Sequence, residues 1–323
     1  MKTILSIEKP LILYNQDYAF PAAMMSSDKS FQNWLYSNAI QLYYINDRKN
    51  FNLSYFYLGI DPNPLAVIPL LRCQSIDLKV VKGSGITAIS FVRDMINNGY
   101  YITCLLNEYY VKCRQAYNTR KFEHGNMIYG FDDEKHQIFL AGFNEYLQFS
   151  NTSISYENFE KAFLEIGRES DYGCCFKRNK TIYKFDRKLV RELLFDFISS
   201  KNTSERYRMV QNPLENCYWG IEACQHILDN GNIRIDYRYF YTVYEYMCLM
   251  QKRIPHLFDN EKTKVYFIEK TERIKLDFYS LLLAVIKFNM NGKSREKIDK
   301  IRKRLSEMLI LQKEILTELY NCI

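Results

Sequence analysis

"KFEHGNMIYGFDDEKHQIFLAGF", Lys121 to Phe143, decides how the rest of the chain is read. Met127–Tyr129 and Gln137–Phe143 are runs of strand-forming residues, and Gly130-Phe131-Asp132-Asp133 lies between them. Glycine tolerates the backbone angles of a turn and aspartate bonds to its own backbone there, so the stretch predicts a β-hairpin. His124, one of four histidines, stands just ahead of the first run. An imidazole titrates near neutral pH, which makes it a candidate base wherever a neighbour fixes its tautomer.

Working outward, Tyr100–Val111 ("YYITCLLNEYYV") is rich in β-formers and predicts a strand. Ile86–Gly99 reads as a helix closed by Asn98-Gly99. Cys73–Val81 reads as a short strand ended by Gly83-Ser84-Gly85, and residues 51–72, with Pro62, Pro64 and Pro69, as an irregular connection. In residues 29–46, Phe31, Trp34, Leu35, Ala39, Leu42 and Tyr43 form a three-to-four-spaced stripe, which predicts a helix capped by Asp28 or Ser30. Downstream, Ser155 is placed to cap an amphipathic helix within residues 153–166 that buries Phe159, Ala162, Phe163 and Ile166. Residues 170–179 ("SDYGCCFKRN") read as a loop, and residues 186–200, 213–230, 236–252, 261–290 and 294–320 carry helical periodicity. The expected fold class is therefore α+β. An N-terminal helix packs on an antiparallel sheet in residues 1–165, and a mainly helical domain fills residues 166–323.

With 323 residues and 47% apolar side chains the chain can bury a full core, which excludes a disordered polypeptide. Aromatics reach 15%, 27 of them tyrosine, a composition that half-buried tyrosines at the core edge account for. The net charge of +7 is concentrated at Lys293, Arg295, Lys297, Lys300, Arg302, Lys303 and Arg304. This cluster lacks the glycine and aromatic interleaving of an RNA-binding sheet, so it reads as a solvated helix face and nucleic acid is not an expected partner. Nine cysteines occur without a CxxC pair, so no metal site is expected. Their odd number, and an N-terminus whose apolar run is too short for a signal segment, point to reduced thiols in the cytoplasm. No run is long enough to span a membrane.

"GYYITCLLNEYYV", "AYNTRKFEHGNMIYGFDDEKHQIFLAGF" and "SISYENFEKAF" together resemble the papain-like cysteine-peptidase superfamily. The similarity is to the branch holding the N-terminal domain of the butirosin-type acyltransferase and the bacteriocin-processing peptidases, over about residues 25–165. The resemblance implies a papain-like domain and three roles. A cysteine thiolate sits at the start of the first helix, a histidine on the hairpin acts as base, and an Asp or Asn on the next strand orients the ring. Carried over by position, the base is His124, the nucleophile's place is Asn33, and the orienting residue falls near Gly142, with Asn144 the nearest side chain able to serve. No cysteine precedes Cys73. An amide at Asn33 cannot form an acyl-enzyme, so Ser30, Ser37 or Cys73 would have to supply a nucleophile, or His124 would act alone as base.

The resemblance further implies a role in nonribosomal-peptide or polyketide biosynthesis. The partner would be an acyl or peptidyl carrier protein presenting its chain on phosphopantetheine, with a small-molecule amine as acceptor and no cofactor bound by the chain itself. Trp34, Tyr109, Tyr110, Tyr117 and Tyr129 are the candidate substrate-binding aromatics. The alternative is a catalytically inactive pseudoenzyme that serves as a protein-interaction module.

Overall fold

The computed structural model describes residues 1–45, 53–57, 64–168, 172–226, 236–290 and 294–323. The chain is mixed α+β with antiparallel sheets. It forms two compact units, residues 1–31 with 60–182 and residues 32–59 with 183–323. The division therefore differs from a single boundary at 165/166: residues 32–59 belong to the second unit, and residues 166–182 to the first.

In the first unit, antiparallel strands run in the order β4 (Leu71–Asp77), β9 (Tyr172–Arg178), β5 (Tyr101–Asn107), β6 (Glu123–Asp132), β7 (Gln137–Phe143) and β8 (Phe149–Ser155), with β1 (Lys2–Ile4) beside β6. The β6–β7 hairpin is present, but its turn is at residues 133–136, where His136 has a φ of 51°. Gly130 lies inside β6 instead, because a Cβ there would come within 2.8 Å of the Thr3 carbonyl on β1. The segment read as a loop is β9, an interior strand with Cys175 and Phe176 fully buried. The strand expected over Cys73–Val81 ends at Asp77, whose carboxylate accepts from Lys79 N at 2.9 Å and starts α3 (Leu78–Gly83).

Two helices form where the sequence pattern places them, although Ile166, expected on the buried face of the second, lies beyond its end at Leu164 and is only half-buried. Thr87 caps α4 (Ala88–Asn97) by accepting from Ser90 N at 3.1 Å, and Ser155 caps α5 (Tyr156–Leu164) by accepting from Asn158 N at 3.3 Å. Val92 and Ile96 of α4, with Phe159 and Phe163 of α5, pack against Ile102, Leu106, Ile128, Leu140 and Ile154 of the sheet. Each such side chain contributes about 1.5–3 kcal/mol when taken out of water. The first helix of the chain is α1 (Gln16–Met25), capped by Asn15, whose side chain accepts from Asp17 N at 3.0 Å. Pro21 lies within it and has no N–H to offer the Asp17 carbonyl one turn earlier.

In the second unit, the stretch read as one helix over 29–46 divides into α2 (Lys29–Asn38), which runs on from the first unit after Phe31, and the strand β2 (Leu42–Ile45). β2 pairs with β3 (Leu53–Tyr55) and with β10 (Cys217–Trp219). Helices α6 (Arg187–Ile198), α7 (Gly220–Gln225), α8 (Tyr237–Leu257), α9 (Glu261–Met290) and α10 (Arg295–Cys322) complete the unit. The helix expected over 213–230 is thus replaced by β10 and the short α7; its residues 227–230 lie outside those described. Asn291-Gly292 likewise fall outside, between α9 and α10. Among the described residues, no helix is long and apolar enough to cross a membrane.

Candidate functional site

The site is assembled where β5 ends and β6 begins. Asn107 closes β5 with its side chain, accepting from Tyr109 N and Phe122 N, both at 3.2 Å. That tight turn, together with a bond from Glu108 N to the Phe122 carbonyl at 2.8 Å, turns the Glu108 side chain inward, where it is 4% exposed. Glu108 Oε1 then lies 3.0 Å from His124 Nδ1 and 3.3 Å from the donating Asn126 Nδ2. Arg114 Nε stands 3.6 Å from the same oxygen. Its Nε and Nη2 donate to Asn126 Oδ1 at 3.2 and 2.9 Å.

This is a closed chain of polar groups with a single direction. A carboxylate can only accept, so the His124 Nδ1–H donates to Glu108. Arg114 and Asn126 hold the carboxylate in place from behind. Burial pushes the Arg114 guanidinium's pKa down, and the Glu108 charge opposes that shift. The His124 ring is stacked on Phe122 with centroids 5.3 Å apart, and its side chain is 36% exposed.

The N-terminal turn of α1 meets β6 at this point. A Cβ on Gly125 would lie 2.4 Å from Gln16 Nε2. Asp17, half-buried, has its carboxyl pKa raised by burial and partly lowered by the nearby His124 charge. Gln16 Oε1 is buried without a hydrogen-bond partner.

His124 thus has a buried carboxylate partner on its Nδ1 side. Asn144 does not orient it: its Oδ1 accepts from Tyr146 N and Gln148 N, both at 2.9 Å, and caps the β7–β8 turn. At Gly142, where the resemblance calls for a side chain, a Cβ would come within 2.7 Å of Arg114 Nη2. The arginine occupies that space, and the orienting carboxylate arrives from the other side of β6. Asn33 belongs to the second unit, on α2, where its amide donates to the Tyr183 carbonyl at 3.0 Å. The helix start that meets β6 within the first unit is that of α1, which carries Gln16 and Asp17.

Cys73 stands on β4, 3.5 Å from Cys174 Sγ, with β9 and β5 between it and β6. Strand spacing alone puts those strands roughly 14 Å apart, out of reach of His124. Ser30 N bonds to Asp28 at 2.7 Å at the start of α2, and the Ser37 hydroxyl donates to the Asn33 carbonyl at 2.7 Å.

Of the aromatics, Tyr109 and Tyr110 follow Glu108 in sequence and pack edge-on with centroids 5.1 Å apart. The Tyr110 hydroxyl donates to Glu165 at 2.6 Å. Tyr117 lies in the loop that carries Arg114, its N–H bonded to the Arg114 carbonyl at 3.1 Å. Tyr129 is buried further along β6 against Phe139, and Trp34 stacks on Tyr57 in the second unit. Among the described residues, no group of three or more His, Cys, Asp or Glu is placed to hold a metal ion. Glu108, Arg114, Asn126 and Asp17 were not foreseen as a set. No family model matches the chain, and no curated protein matches it in sequence.

Proposed function

We propose that this is a cytoplasmic protein of specialised-metabolite biosynthesis whose first unit is a papain-like domain. It binds an acyl or peptidyl chain carried as a thioester on a carrier protein and assists transfer of that chain to an amine. The observation that supports this reading is His124, held by Glu108 at 3.0 Å beside the first turn of α1. On this reading His124 is the base, Glu108 the orienting group and the start of α1 the helix start that the resemblance implies, with Asp17 in the thiol's place.

The substitution dictates the chemistry. A carboxylate attacking a thioester would form a mixed anhydride, a more reactive acyl donor than the thioester consumed, so Asp17 is no covalent nucleophile. The amine attacks the thioester carbonyl directly and the pantetheine thiolate leaves. His124 Nε2 takes the proton the amine gives up and returns it to the thiolate. Positioning carries much of the remaining rate, as it does whenever two reactants are held in one geometry. The phosphopantetheine belongs to the carrier protein.

A second reading, a catalytically inactive interaction module, is favoured by the missing thiol alone. One experiment separates them: acyl carrier proteins and a primary amine are mixed with the protein, and thioester loss and amide formation are followed by mass spectrometry. The catalytic reading expects turnover that falls about 100-fold or more in His124→Ala, the usual contribution of a general base. Equal turnover by parent and variant overturns it. A carrier-protein complex without turnover leaves the interaction module.

A further inference from the structure

In the first unit, β4 and β9 bring together two thiols that lie 101 residues apart in the chain. Cys73 Sγ and Cys174 Sγ are separated by 3.5 Å. The register explains why they meet. Cys73 is opposite Phe176, and Ser75 is opposite Cys174, so the two cysteines are diagonal neighbours on one face of the sheet. Side chains alternate along a strand, so Cys175 points to the other face, where it joins the core with Ile102 and Leu106. Burial there pushes the Cys175 thiol up to about 12, which keeps it protonated and unreactive. Cys174 is thereby divided from its sequence neighbour and set beside Cys73. Cys73 is half-buried and Cys174 is 9% exposed, while Ser75, directly across from Cys174, is exposed. A small oxidant coming past Ser75 therefore meets Cys73 first, with Cys174 behind it.

A disulfide holds its sulfurs about 2.05 Å apart, so these two must approach by about 1.5 Å. Among the described residues β4 pairs only with β9, at the end of the sheet. An end strand takes up such a shift without breaking a second ladder. We propose that Cys73 and Cys174 are a redox modification site: hydrogen peroxide closes them into a disulfide that staples β4 to β9, and a small thiol reopens it. The Cys73 thiolate attacks one peroxide oxygen, the O–O bond breaks, and the other oxygen leaves as water, which gives a sulfenic acid on Cys73. The Cys174 thiolate then attacks that sulfur, the S–O bond breaks, and the oxygen leaves as a second water. Two thiols and one peroxide thus yield one disulfide and two waters. In a reducing compartment the pair rests as thiols and closes only while oxidant is present. The closed loop is long, so the bridge restricts the unfolded chain strongly and raises stability. Neither cysteine takes part in the acyl transfer proposed above.

The fully reduced chain is treated with hydrogen peroxide at low protein concentration, blocked with N-ethylmaleimide, isolated as monomer and digested without reductant. Mass spectrometry should find the Cys73 peptide joined to the Cys174 peptide, lighter by two hydrogens than the reduced pair, and dithiothreitol should separate them. Cys113 and Cys322, both exposed, serve as the comparison and should not enter a bridge within the chain. The oxidised monomer should melt higher than the reduced one by roughly 5 °C. Cys73→Ser and Cys174→Ser should each abolish both the bridge and the rise, and Cys113→Ser should leave both in place. If either serine variant at the pair does not fold, the peptide map of the parent decides alone. Over-oxidation of Cys73 with Cys174 still reduced overturns the proposal, and so does Cys174 bridged to other cysteines as often as to Cys73. A bridge that forms without raising Tm overturns the staple.

Discussion

Arg114 in the first unit and Arg253 in the second are both buried to within 2% of complete exclusion, and both keep Nη1 unbonded. They solve the same electrostatic problem in opposite ways. Arg114 has a carboxylate, Glu108, and an amide, Asn126, and its cost is met inside the protein. Arg253 has two helix-end carbonyls and a ring of phenols. Pairing commits a carboxylate that can also hold an imidazole, which is how charge balance in the first unit becomes an oriented His124.

The largest effect should come from breaking the paired case. Glu108→Ala leaves Arg114 buried without its carboxylate, which costs about 3–5 kcal/mol. Arg253→Met should cost far less, about 1–2 kcal/mol, because it removes a desolvated charge along with the two caps. Urea titrations of the two variants, with unchanged m-values, check this. If Arg253→Met costs as much as Glu108→Ala, the cation is compensated by the protein itself, and the contrast disappears.

Next in size is Gly142→Ala. The added Cβ would sit 2.7 Å from Arg114 Nη2, and the guanidinium is held by Asn126 and cannot swing freely. A loss of about 1–3 kcal/mol is expected, the usual penalty of overpacking. The same change should disturb the His124 Nδ1–H signal in the NMR spectrum, because Arg114 supports Glu108. A stable variant with an unaltered imidazole signal would show that Arg114 takes no part in placing the ring.

The hairpin and the capped helices could be read because their signals are local. Ser155 sits where a cap must, and Gln137–Phe143 is mostly β-forming and apolar. Reading failed where partners, not propensities, decide. In "SDYGCCFKRN" the Gly and Asp suggest a turn, but β4 and β5 flank the segment and fix it as a strand, with Gly173 accommodating Leu78 at 3.0 Å. In residues 29–46 the apolar stripe runs on past Asn38, and only pairing with β3 and β10 makes Leu42–Ile45 a strand. His124 was visible as a lone histidine before a strand. Its partners were not, because Asp17, Glu108, Arg114 and Asn126 share no spacing rule, and only the β5–β6 pairing, the loop that carries Arg114 and the packing of α1 bring them together. The placement of the first helix at Gln16 was lost for a related reason: a proline six residues in and a weak polar–apolar pattern conceal it.

The smallest predicted effect tests whether the α1 end of the site is built for stability or for function. Burial raises the Asp17 pKa above the ordinary value of 3.8, and the His124 charge only partly offsets this. A carboxyl with a raised folded-state pKa binds its proton more tightly in the folded protein than in the unfolded one. Ionising it therefore costs stability, increasingly so as pH rises from 3.8 through the folded-state value, and the full cost is present at neutral pH. Asp17→Asn removes that cost and should stabilise the protein by on the order of 1 kcal/mol at pH 7. The gain should shrink to nothing as the pH falls below 3.8, where the aspartate is protonated in both states. Denaturant midpoints of parent and variant between pH 3 and 8, with thioester turnover measured alongside, read both sides. A carboxylate retained against its own burial cost should be missed in turnover even as stability rises. A variant that is less stable at pH 7 would instead mean that the helix end and His124 together hold Asp17 ionised at a net profit to the fold.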